Sequence, residues 1–283
     1  MKIGVSKPAD KYLGTSTLLN PLTDFIAFGL GMIQTQVMIG CTMRVAILSS
    51  GGKDSSKVWW TAQCKGWDIV AVVTVRITGE DSYMFQIPTT DLVGLQASSA
   101  GVDWVQVESS GEQEVEIEDL KMALSKLEID GIVVGAIRSD YQKSRLERMT
   151  EDLGINIWTP IWHQDPEQHM TELIDFGFEV MITGVSCEGL DDSWLGKVLC
   201  PESYQELRIL SEKYRFNVDG EGGEYETFVT YAPFMKNKIE FKHDTKKYKW
   251  QKPHSPNLTG TDEAYHPNKK NDQIKKKYTS WKN

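Results

Sequence analysis

Residues 46–60, AILSSGGKDSSKVWW, run from an apolar segment through small residues and a Lys-Asp pair into a helix-like pattern. This junction constrains the fold more than any other stretch, because the runs flanking it have strand character. RVAIL (44–48) and DIVAVVTV (68–75) are β-branched and apolar, with the length of strands buried on both faces, and residues 54–65 between them read as a helix. The alternation continues with a helix over 90–100, strand WVQV at 104–107, a helix over 112–127, strand GIVVGA at 131–136 and a helix over 142–153. A helix over 166–176 and strand EVMITGV at 179–185 complete it. Strands separated by helices of this length require right-handed crossovers, which predicts an α/β fold with a doubly wound parallel sheet.

In such a sheet the ligand crevice lies beyond the carboxyl ends of the strands, where residues 49–55 fall. Gly51 and Gly52 let backbone amides approach a ligand with no Cβ in the way. The following helix adds the positive end of its dipole, so the turn is an anion nest. Ser50 and Ser55 supply hydroxyl donors and Lys53 a positive charge. A Walker loop needs GxxxxGK followed by Ser or Thr, whereas Asp54 follows Lys53, and the GxGxxG of dinucleotide folds is missing. The competing reading is an ordinary turn with Asp54 as helix N-cap.

With 283 residues, 40% of them apolar, the chain can bury one large core or two small ones. Charge is uneven: residues 236–283 hold 13 Lys against 5 acids, and the remaining 18 basic and 35 acidic residues leave 1–235 at −17. A body that acidic argues against general nucleic-acid binding, DNA included. Cys41, Cys64, Cys187 and Cys200 form no CxxC pair, and the five histidines form no HxxxH or HxH, so reduced thiols in the cytoplasm are expected and a transition-metal site is not. FIAFGLGMIQTQVMIGC (25–41) is mostly apolar, yet Gln34, Thr35 and Gln36 interrupt it. It falls short of the ~20 apolar residues that span a bilayer, so residues 1–42 are read as an upstream extension ahead of a functional start at Met43, with no membrane partner.

After Gly184 the chain grows richer in Gly, Asp and Glu, as a substrate-facing subdomain would, with a short helix over 202–214. From about Lys236 periodicity disappears and Lys, Asn and Pro rise, which reads as a solvated, flexible tail. The alternative for its lysines is contact with RNA phosphates.

SGGKDS between a strand and a helix resembles the pyrophosphate loop of the N-type ATP pyrophosphatase (PP-loop) superfamily, whose members adenylate a substrate and release pyrophosphate. The resemblance implies that Ser50, Gly51, Gly52 and Ser55 cradle the β- and γ-phosphates of ATP, with Asp54 helping to hold Mg²⁺. Lys53 and Asp54 are then catalytic candidates, and Val75 and Gly135 are placed with the loop around the nucleotide. Three further stretches, GAIRSDYQKSRLERMTEDLGINIWTPIW (135–162), EVMITGVSCEGLDDSWLGK (179–197) and GEGGEYETFV (220–229), resemble signature blocks of the diphthine–ammonia ligase family, which performs the last step of diphthamide synthesis on elongation factor 2. The implied fold is of adenine nucleotide alpha hydrolase-like type: an ATP-binding domain over 43–183, a smaller C-terminal substrate-binding subdomain over 184–235 and the Lys-rich tail over 236–283. Gln86 and Thr89 stand where the family usually has His and Asn, and the family's C-terminal β segment is not evident after Ile239.

Ser139, Tyr141, Gln142 and Arg145 lie just past a strand end. The resemblance makes them nucleotide or acceptor contacts, with Arg145 neutralising charge on the α-phosphate; the alternative is an ordinary amphipathic helix face. Asp192 and Trp194 sit in CEGLDDSWLGK, which suits a loop over a site, against solvated or capping acids as the alternative. Cys187 lacks a nearby His and reads as a small buried residue rather than a nucleophile. Glu221 and Glu224, with Tyr225, suit the trimethylammonium group of diphthine or ammonium itself, and otherwise an acidic hairpin turn. The family reading is an ATP-dependent amidation with ammonium through an acyl-adenylate. A PP-loop tRNA-modifying enzyme of thiolase or lysidine type and a non-catalytic ATP-binding module are the rivals. Homodimerisation is left open.

Overall fold

The computed structural model describes residues 42–78 and 90–240, together with the backbone of two strands at 243–249 and 261–267. The N-terminal extension up to Cys41, and Gln86 and Thr89, lie outside the described residues. Strands β1 (Arg44–Leu48), β2 (Asp68–Ile77), β3 (Asp103–Ser109), β4 (Gly131–Val134) and β5 (Asn156–Trp158) form a parallel sheet in the order β3-β2-β1-β4-β5. Helices α1 (Lys53–Cys64), α2 (Val93–Ala100), α3 (Val115–Leu124) and α4 (Asp140–Leu153) make the crossovers.

Because successive strand residues point to opposite faces, β1 feeds two cores. Val45 and Ile47 pack with Val58, Trp59 and Ala62 of α1, while Ala46 packs in a second cluster with Leu120 of α3 and Leu146 and Met149 of α4. Each large side chain buried this completely contributes about 1.5–3 kcal/mol, which is why these strands carry apolar residues on both faces.

Strands β6 (Glu179–Val185), β7 (Tyr225–Tyr231), β8 (His243–Lys249) and β9 (Thr261–Pro267) form a second sheet in the order β7-β6-β9-β8. This differs from the sequence expectation in two places. EVMITGV is not the last parallel strand: it pairs antiparallel with β7, Val180 opposite Val229 and Ile182 opposite Thr227, and the fifth parallel strand is the three-residue NIW of β5. β6 is buried along nearly its whole length, so its composition reads the same in either sheet. The Lys-rich segment, read as a flexible tail, contains β8 and β9. Ladder bonds draw on backbone groups that lysine content leaves intact, and β8 is the edge strand of this sheet.

Between β5 and β6 runs α5 (Pro166–Asp175), started by the Asp165 side chain accepting from Gln168 N, and α6 (Pro201–Tyr214) lies between β6 and β7. Among the described residues no helix is long and apolar enough to cross a membrane. The second sheet is joined to the loop after β1: Val229 N donates to Gly51 O at 2.9 Å, and Gln96 Nε2 bridges Gly51 O and Val229 O at 3.0 and 2.7 Å.

Candidate active site

A cavity of about 320 Å³ opens at the carboxyl ends of β1 and β4. The chain leaves β1 toward β2 on one side and β4 lies on the other, so this is the switch point at which open α/β sheets bind ligands. Its walls are the 49–55 loop, the exit of β4 and the turn that leads into β7.

The loop is held from within and from behind. Gly51 N donates to Ser49 Oγ at 3.1 Å, Ser49 Oγ to Ser55 Oγ at 3.1 Å, and Ser55 Oγ to Gly52 O at 3.2 Å. Gly51 has φ +86°, and a Cβ on it would come within 2.9 Å of the Phe228 ring, so both conformation and space require glycine. Gly135 is required for space alone: a Cβ would meet Ser55 N at 2.7 Å, because the β4 exit runs directly against the start of α1. Gly52 caps α1 without a side-chain bond, and Lys53 N donates to Thr227 Oγ1 at 3.2 Å. The arrangement presents backbone amides and a helix N-terminus to an anion.

Charge is concentrated at Asp54. Its Oδ2 accepts from Lys53 Nζ at 2.9 Å and its Oδ1 lies 2.7 Å from His169 Nε2. Burial works to raise the Asp54 pKa, but Lys53 and His169 outweigh it and hold the carboxyl below its usual range. Burial would lower that of Lys53, yet Asp54, Glu221 and Asp219 keep it raised and the ammonium charged. Glu221 is pushed up to about 7 by burial and by Asp54, and Glu226 to about 7 by burial, with Lys53 opposing. The cavity thus pairs a fixed cation and an anion nest on one side with two acids near their neutral points on the other.

Of the residues named from sequence, Ser50, Gly52, Lys53, Asp54, Ser55, Val75, Gly135, Ser139, Gln142, Glu221 and Tyr225 line this cavity, with Gly51 packed behind the loop against Phe228. Five others, Tyr141 among them, point elsewhere. Arg145 Nε donates to Glu114 at 3.0 Å and its guanidinium lies 3.5 Å over the Tyr141 ring, because the stripe of α4 facing the cavity is Ser139, Gln142 and Leu146, and 141 and 145 fall on another face. Trp194 is buried at 2% exposure, under Lys197, rather than poised on a loop. Glu224 braces its own turn, accepting from Asn217 N at 2.9 Å and Gly222 N at 2.7 Å. Asp192 lies in a 3₁₀ turn (Asp192–Trp194) away from the cavity. The Tyr225 ring already faces Lys53, 5.8 Å away, and its hydroxyl donates to Val218 O at 2.6 Å.

Sequence reasoning missed Glu226, Thr227 and His169. Glu226 and Thr227 follow Tyr225 directly on β7, whose first three residues all reach the cavity, so a two-residue alternation does not single them out. His169 had a signal: it shares the buried stripe of α5 with Met170 and Leu173, where a polar ring needs a polar partner. Its Nδ1 lies 3.1 Å from Lys57 Nζ, which is paired with Glu172 at 2.7 Å.

Residues 43–157 match the family model of the diphthamide synthase N-terminal domain, and 165–255 that of the diphthamide synthase C-terminal domain, a match that runs through β8. Diphthine–ammonia ligase of Homo sapiens is 37% identical over 222 residues, spanning 70% of this chain and 82% of that protein. The Danio rerio protein of the same name is 35% identical over 222 residues, 70% of this chain and 86% of the relative. That of Saccharomyces cerevisiae is 28% identical over 232 residues, 69% of this chain but 34% of the longer relative.

Proposed function

The chain belongs to the diphthine–ammonia ligase family, whose members are ATP-dependent C–N ligases, and from that premise we propose that it amidates the diphthine of elongation factor 2 with ammonium, giving diphthamide, AMP and pyrophosphate. The observation that carries this reading is the convergence of the SGGKDS loop, the β4 exit and the acidic turn before β7 on one cavity.

In the first step a carboxylate oxygen of diphthine bonds to the α-phosphorus of ATP as the bond to the bridging oxygen breaks, and pyrophosphate leaves into the loop. Ammonia then bonds to the carbonyl carbon of the acyl-adenylate, and AMP departs with the oxygen it gained. Ser50, Ser55 and the loop amides cradle the leaving phosphates and Lys53 neutralises their charge, so positioning and electrostatics supply most of the rate. Asp54, about a quarter exposed, and the neighbouring hydroxyls form an oxygen donor set that fits Mg²⁺ shared with phosphates. When bound, that ion would polarise the phosphoryl oxygens. Glu226 accepts the proton that ammonium must lose, and Ser139, Gln142, Glu221 and Tyr225 line the path between nucleotide and acceptor.

The test is ATP turnover by the purified protein with diphthine-bearing elongation factor 2 and ammonium, reading AMP and the mass of the modified histidine beside an Asp54→Ala control. AMP with amidation, both lost in the control, supports the proposal. Bound ATP without AMP overturns it.

A further inference from the structure

A second cavity, of about 770 Å³, adjoins the first and shares Glu221 with it. It is bounded by Arg138 from the β4 exit, by residues 163–166 leading into α5, and by Asn217 at the start of the acidic turn. Nothing in the nucleotide chemistry above uses it.

Its charge pattern is specific. Arg138 Nη2 donates to Asp219 Oδ2 at 2.8 Å and to Gln164 O at 3.3 Å, which fixes one edge of the guanidinium. Asp219 is fully buried, and its Oδ1 has no hydrogen-bond partner among the described residues, so this carboxylate is spent on holding Arg138. The Arg138 side chain remains a third exposed, with Nε and Nη1 unengaged among the described residues. Asp219, Glu221 and Asp165 all act on Arg138, giving three acids around one cation. A nucleotide triphosphate is repelled by that excess. A group carrying a permanent positive charge beside a carboxylate is complementary: the fork of Arg138 donates to the carboxylate, and the acids face the cation.

We propose that this second cavity is the acceptor site, in which Arg138 grips the carboxylate of a betaine-type side chain while Asp165 and Glu221 hold its quaternary ammonium and present the carboxylate to the nucleotide cavity. The assignment rests on the ligase reading, since diphthine carries these two groups on one carbon. It gives the role of acceptor-binding arginine to Arg138 rather than Arg145.

The experiment is steady-state amidation at saturating ammonium, with diphthine-bearing elongation factor 2 and ATP varied in turn, for wild type, Arg138→Gln, Arg138→Lys and Asp165→Asn. Asp165→Asn keeps an acceptor for the Gln168 amide and so preserves the start of α5. Expected is an acceptor KM raised at least tenfold by Arg138→Gln and severalfold by Asp165→Asn, partial recovery in Arg138→Lys, and an ATP KM within twofold of wild type throughout. Thermal melting of each variant identifies any that fails to fold, and Asp165→Asn carries the test should Arg138→Gln do so. An unchanged acceptor KM in Asp165→Asn and in a folded Arg138 variant, or a rise in ATP KM instead, overturns the acceptor site while leaving the ligase reading intact. Wild-type protein that makes no AMP overturns both.

Discussion

His169 Nε2 stands 2.7 Å from Asp54 Oδ1, and the histidine is fully buried. Lys57, which can only donate, lies 3.1 Å from Nδ1, so that nitrogen accepts and Nε2 carries the hydrogen given to Asp54. Burial lowers the His169 pKa, in keeping with a neutral ring. Lys57, held in place by Glu172 and by Gln164 Oε1, therefore sets the tautomer of His169, and His169 sets the orientation of the loop carboxylate.

His169→Leu is expected to lower kcat/KM for ATP by about 10–100-fold, the usual cost of losing a group that orients a ligating side chain. His169→Gln retains an amide donor and should recover part of it. A ¹⁵N spectrum of the wild-type protein should show the Nε2–H tautomer, and a protonated or Nδ1–H ring would contradict the assignment.

Gly51→Ala and Gly135→Ala should fail differently. The first forces alanine into a left-handed conformation, at roughly 1–2 kcal/mol, and presses on Phe228, so its melting temperature falls along with nucleotide affinity. The second has no conformational penalty but pushes against the first residues of α1, so ATP KM should rise more than stability falls. Melting curves and ATP titrations of the two variants check this.

Glu226 links stability to pH. Its carboxyl titrates near 7 when folded, chiefly through burial, against an ordinary value of 4.5. Between those values the unfolded chain has released a proton that the folded chain retains, so this group destabilises the fold progressively as pH rises from about 4.5 to 7, by about 3 kcal/mol at most. Nucleotide-free protein should melt at lower temperature at pH 7.5 than at pH 5.5 from this contribution, and Glu226→Gln should flatten the slope. A variant slope equal to wild type would refute the assignment.

Arg145→Ala should leave ATP KM within about twofold. Its ion pair with the 60% exposed Glu114 lies at the surface, where such a pair contributes about 0–1 kcal/mol. A large loss of turnover would return Arg145 to the α-phosphate.

Cys187 should prove dispensable. Burial and Glu224 push its thiol up to about 11, leaving about one molecule in three thousand as thiolate at pH 7.5. Cys187→Ala should keep kcat within about twofold, and alkylation of this position by iodoacetamide should be slow.

The loop and the alternation around it were legible because both are local: a strand, two glycines and a helix start stand next to one another in the chain. The sheet membership of EVMITGV was not, because burial on both faces shapes its composition and the direction of its partners does not. Arg145 illustrates a third limit. Lying near a strand end placed it close to the crevice, but only the helical phase set by Ser139, Gln142 and Leu146 decides which side chains enter. Arg138 and Asp219 are 81 residues apart, and no local pattern announces such a pair.

The bond from Val229 N to Gly51 O, reinforced by Gln96, has a thermodynamic reciprocal. If phosphate binding tightens the Gly51 turn, the same free energy protects β7 from opening, and loosening β7 must weaken nucleotide affinity by an equal factor. Amide exchange at Val229 is then a gauge of occupancy in the other sheet, readable without a label on the ligand.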